Sequence, residues 1–101
     1  MEQALRYLAE TDEEYAYAKT HALKMERKAK SVFRVMFLAE SGTVAEREAK
    51  ADKSNEYQEA SEAEFTAKTH LEHIKAKRDT EILIVEVWRS LNASQRRGNV
   101  I

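Results

Sequence analysis

Met1, Ala4, Leu8, Thr11, Tyr15, Ala18, Ala22, Met25, Ala29, Val32, Met36 and Ala39 follow one another at alternating three- and four-residue intervals. Eleven of these twelve positions are apolar and only Thr11 is not, so the pattern predicts a heptad seam on one long helix over about residues 2–40. A single helix cannot bury its own seam, so a partner helix must come from the same chain or from another copy. Ser41-Gly42 is the one strong interior stop, with Gly42 suited to the positive-φ position that ends a helix. Thr43 with Glu46 three positions later forms a capping box and opens a short helix over about 44–52. Ser54 or Asn55 then caps a third helix over about 54–93, unless helices two and three run on as one rod.

The third helix carries two overlapping stripes. One runs through Ala60, Ala63, Ala67, His70 and Ile74, crosses Lys77 and Glu81, and continues through Ile84, Trp88 and Leu91. The other links Tyr57, Ala60, Ala67, Leu71, Ile74, Val85 and Trp88. A broad, irregular apolar face is expected of a helix that meets more than one neighbour. Two long helices of matched length and a short connector predict an all-α fold: an antiparallel helical hairpin or coiled coil with a short connecting helix, oligomerising into a helical bundle. The expected organisation is one helical domain over 1–93 and a fraying C-terminal tail over 94–101.

Val32–Ala39 and Ile82–Trp88 are apolar almost all round. The second stretch is rich in β-branched residues, but the heptad frame continues through it without bracketing turns, so it reads as helix. Such surfaces exceed what one partner helix covers, which makes Val32, Phe33, Met36, Phe37, Ile82, Ile84, Val85, Trp88 and Leu91 the expected contacts of a homo-oligomer. Trp88 suits an interface anchor, although a plain seam position accounts for it better.

The composition agrees with long helices: no proline, two glycines and 35% charged residues in 101. Cysteine is absent, so disulfides and thiolate metal sites are excluded. No charged-then-apolar leader pattern and no run of spanning length is present, so the expected location is the cytoplasm, with no membrane partner. The net charge of −1 hides blocks of −4 over 1–14, +5 over 15–39, −5 over 40–64, +1 over 65–81 and +2 over 82–101. Blocks of this kind set helix pairing or mark an electrostatic footprint.

Chemistry is sparse. No serine sits in a glycine-rich elbow and two glycines cannot form a phosphate-cradling loop, so no catalytic residues and no cofactor are expected. If the hairpin turns near residue 47, His21 approaches His73, with His70 one turn away from the latter. Imidazoles on facing helices can ligate zinc, but no Glu-x-x-His pair occurs and ordinary interfacial polarity explains the three histidines better. Lys24, Arg27, Lys28 and Arg34, with Arg96 and Arg97 at the tail, are candidate nucleic-acid contacts. The competing reading is that Glu26 and the acidic 40–64 block neutralise them, and no aromatic interleaves with the basic block as a stacking platform.

Gly42–Tyr57 (GTVAEREAKADKSNEY) and Val85–Asn99 (VEVWRSLNASQRRGN) resemble small helical early-region proteins of tailed bacteriophages and prophages. The resemblance carries no catalytic or ligand signature. The architecture reads as a non-enzymatic, oligomeric protein that acts by binding; the resemblance implies that it is an accessory factor in phage DNA recombination or replication, in the cytoplasm of an infected or lysogenic bacterial host. The alternative it leaves open is an inhibitor of a host nuclease or defence complex through protein–protein contact. A metal-dependent enzyme built on the histidines is the third reading.

Overall fold

The computed structural model describes the backbone of residues 1–99 and side chains as far as Arg96. The fold is all-α: helix α1 spans Glu2–Ala39, α2 spans Val44–Lys53 and α3 spans Asn55–Asn99, with no strand among the described residues. Ile82–Trp88 is helical, as the unbroken heptad frame requires. The third helix does not end near residue 93 but continues to Asn99. Ala93 to Arg96 contain no helix breaker, and Arg96 suits the negative end of the helix dipole.

The junctions follow from local hydrogen bonding. Gly42 takes φ +117°, which side-chain-bearing residues rarely adopt. The Glu46 carboxylate folds back against Gly42, in the space a Cβ would occupy. Thr43 caps α2, its Oγ1 accepting from the Glu46 amide at 3.2 Å. Helices α2 and α3 are separate, because Ser54 is extended (φ −62°, ψ 143°). Its amide and hydroxyl both donate to the Ala51 carbonyl, and its Oγ accepts from the Tyr57 amide at 3.3 Å. One serine therefore closes one helix and opens the next.

The chain divides into two compact units: Met1–Ala16 with the segment from Glu72 onward, and Tyr17–Leu71. In each, a stretch of α1 runs antiparallel to a stretch of α3. The α1 seam is as its spacing predicts, since all twelve positions are buried or half-buried except Ala39. On α3, one covered line runs through Tyr57, Ala60, Glu64, Ala67, Leu71, Ile74, Arg78, Glu81 and Val85. This is the second of the two stripes as far as Val85, with polar residues filling its gaps; its last member, Trp88, is exposed. The first stripe leaves the seam, with Ala63, His70, Lys77, Ile84, Trp88 and Leu91 exposed.

The interior is small in a specific way. Among the described residues the buried apolar positions are Ala4, Ala18, Ala22, Ala29, Ala51, Ala60 and Ala67, joined only by Ile74 and Val85. Alanine lets backbones approach closely, but each buried methyl contributes only about 0.8 kcal/mol. The bulky seam residues, among them Leu8, Met25, Val32, Met36 and Leu71, are only half-buried.

Candidate functional site

The first unit is organised around Arg78. Its side chain, 15% exposed, enters the α1 seam at the one polar position in that seam, Thr11. One guanidinium nitrogen donates to the Leu8 carbonyl at 2.9 Å and to Thr11 Oγ1 at 2.7 Å, and the other donates to Asp12 Oδ1 at 2.7 Å. The Thr11 hydroxyl passes its own proton to the Tyr7 carbonyl at 2.7 Å. The guanidinium lies 5.0 Å from the Tyr15 ring centre, and the Lys77 ammonium 4.6 Å from that of Tyr7. The Arg78 guanidinium and the Thr11 hydroxyl are satisfied by their neighbours, which marks a helix-registering contact.

On the same unit, α3 presents Ile82, Leu83, Ile84, Val87, Trp88 and Leu91 to the outside, each between 40% and 61% exposed. Val85 differs from its expected partners in the oligomer contact: at 6% exposure it packs within its own unit. The helical repeat explains the division. Val85 continues the Ile74–Arg78–Glu81 line, whereas Ile84, Trp88 and Leu91 occupy a separate face at four- and three-residue spacing. Arg96 is exposed on the same helix, and the Arg97 side chain lies outside the described residues.

The second unit carries the other expected positions. Val32 and Met36 are half-buried in the seam. Phe33 packs edge-to-face on Tyr57 with ring centres 5.3 Å apart, and the Arg47 guanidinium of α2 lies 5.9 Å from the Phe37 ring centre. Arg47 Nε is buried there without a hydrogen-bond partner. Phe33, Arg34, Phe37, Leu38 and Glu48 line an open groove of about 380 Å³. The Lys50 ammonium is 3.8 Å from the Glu40 carboxylate.

The histidines separate by element. His21 stacks in parallel on Tyr17 at 5.8 Å, and it shares an open cavity of about 440 Å³ with His70, Met25 and Glu62. The partner of His21 across this cavity is therefore His70, in place of the expected His73. The Phe33–Tyr57 contact places the mirror point of the helix pair near residue 45, two positions before the expected 47. Register is fixed by interlocking seam side chains, not by the midpoint of the connector. His73 is exposed in the other unit. No group of three or more His, Asp or Glu side chains is placed to hold a metal among the described residues.

Charge in the second unit is distributed unevenly. Lys68 donates to Glu64 at 2.6 Å and lies 3.7 Å from Glu26, which also faces Lys30 at 3.8 Å. The hydrogen bond to Glu64, then the charge of Glu26, raises the Lys68 pKa against a lowering contribution from burial. Lys24, Arg27, Lys28 and Arg34 are exposed and have no ion-pair partner among the described residues. No helix among the described residues is long and apolar enough to cross a membrane. Comparison of the chain with protein-family models, with curated proteins and with solved structures found no match.

Proposed function

We propose that this chain is a non-enzymatic helical protein that acts by binding, and that its primary contact is with a second copy of itself through the outer face of α3. One observation carries this reading: alanines hold most of the fully buried positions while Leu83, Ile84, Val87, Trp88 and Leu91 remain 43–61% exposed. An alanine seam supplies little burial for a chain of this length. Covering a half-exposed large side chain contributes about 1 kcal/mol, so five from each of two copies give on the order of 10 kcal/mol. That is comparable with the roughly 4–15 kcal/mol cost of association, which favours a reversible, concentration-dependent assembly. The four- and three-residue spacing of Ile84, Trp88 and Leu91 suits knobs-into-holes packing against an equivalent helix.

The resemblance to phage early-region proteins supports placing this assembly beside DNA recombination or replication. Inhibition of a host nuclease or defence complex would use the same apolar face. Light scattering tests the central claim. The native chain at high micromolar concentration should weigh a multiple of 11.7 kDa, and Trp88→Glu or Ile84→Glu should return it to a single-chain mass. A native single-chain mass, or a Trp88→Glu variant of unchanged mass, would refute self-association through this face. Normal recombination frequency in a phage lacking the chain would count against the accessory role. Inhibition of a purified host nuclease by the native chain, abolished by Trp88→Glu, would favour the alternative.

A further inference from the structure

We infer that the outward face of α1 in the Tyr17–Leu71 unit binds the phosphodiester backbone of nucleic acid, without reading sequence, through Lys24, Arg27, Lys28 and Arg34. This does not depend on self-association. The 15–39 segment holds six bases against one acid, Glu26. That acid is engaged by Lys68 and Lys30 and pairs with none of Lys24, Arg27, Lys28 and Arg34. In the acidic 40–64 block Glu40 faces Lys50 and Glu64 faces Lys68, and although Arg34 shares an open groove with Glu48, no ion pair joins this block to Lys24, Arg27, Lys28 or Arg34 among the described residues. The intramolecular compensation that would make the basic block a bland solvated surface is missing at these four residues, all of them exposed.

Their placement fits a linear polyanion. Lys24 to Arg34 covers about 15 Å of helix axis at the standard rise. Duplex DNA carries one charge per about 1.7 Å of its axis, so four cations over this length find phosphates without a special arrangement. An anionic bilayer fits less well. Seam residues Ala18, Ala22, Ala29 and Met36 point to one side of α1, and Arg27 and Arg34 lie close to the opposite side. Leu23 and Val35 flank these arginines instead of forming their own face. Insertion of the apolar residues would carry the guanidinium groups into the acyl region, whereas amphipathic membrane helices keep the two kinds of residue apart.

The test is fluorescence anisotropy of a labelled random-sequence duplex, and of its single strand, titrated with the full-length protein over a range of salt. Four phosphate contacts predict a slope of log K against log salt of about −3.6 for the duplex and about −2.8 for the single strand. Between 50 and 200 mM salt the duplex affinity should fall about a hundredfold. Lys24→Gln/Arg27→Gln/Lys28→Gln should leave a duplex slope of about −1, with helicity and scattered mass unchanged, because glutamine keeps the helix propensity. Lys53→Gln/Lys75→Gln/Arg89→Gln removes as much charge elsewhere and should keep the native slope. No binding at low salt, equal losses in the two triple variants, or stronger binding to phosphatidylserine vesicles than to DNA would each overturn the inference. Because mass is read on the same samples, loss of assembly and loss of DNA binding are separable outcomes.

Discussion

Arg78 and Thr11 form one device divided between two helices. A threonine in an otherwise apolar seam leaves space and an acceptor, and an arginine on the facing helix fills both. Removing the donors while keeping the stem, as in Arg78→Met, should cost about 1.5–3 kcal/mol in urea unfolding, the usual range for hydrogen bonds to a charged group. Most of that loss comes from the Leu8 carbonyl and Thr11 contacts, since Asp12 is 66% exposed and its ion pair is screened. Thr11→Val should cost about 1 kcal/mol, because Arg78 retains the Leu8 carbonyl. The double variant should lose less than the sum of the two single losses, and strict additivity would show that the residues are not coupled.

At the scale of elements, legibility in the sequence depended on which residues fill a seam. The α1 seam was readable because apolar side chains occupy all but one of its positions, and the caps at Thr43 and Ser54 were readable because capping needs specific short polar side chains. The α3 seam was only half readable. Glu64 and Arg78 occupy covered positions through their ion pairs and aliphatic stems and Glu81 is half-buried in the same line, while Ile84, Trp88 and Leu91 are apolar and uncovered. Hydrophobicity alone therefore pointed to the outer face as well as the inner one, and the Thr11 exception was the available hint that a polar residue would cross from α3. Close backbone approach along the alanine seam has its own signature. Ala22→Leu should destabilise the fold by about 1–3 kcal/mol through overpacking, despite adding apolar surface. A stabilised Ala22→Leu variant in thermal unfolding would mean the helices have room to spare.

For the whole molecule, the candidate sites were legible as residue types but not as pairings. The basic block was visible in the charge count. Which of its members pair with Glu26, as Lys30 does, was not, because an ion pair depends on which helix faces lie together. If self-association supplies the missing burial, unfolding must depend on protein concentration. For a two-chain assembly, each tenfold dilution should lower Tm by about 3–5 °C. A Tm independent of concentration would assign the stability to the single chain.

An interior lined mainly with methyl groups also bears on how long the chain persists in a cell. If self-association completes its packing, as we propose, the protein is half-finished when scarce and sturdy when plentiful. Proteases remove unpaired copies first, since they act on opened chains. Expression level would then set both the quantity of the protein and its lifetime, giving a sharp threshold in dose without a dedicated regulator.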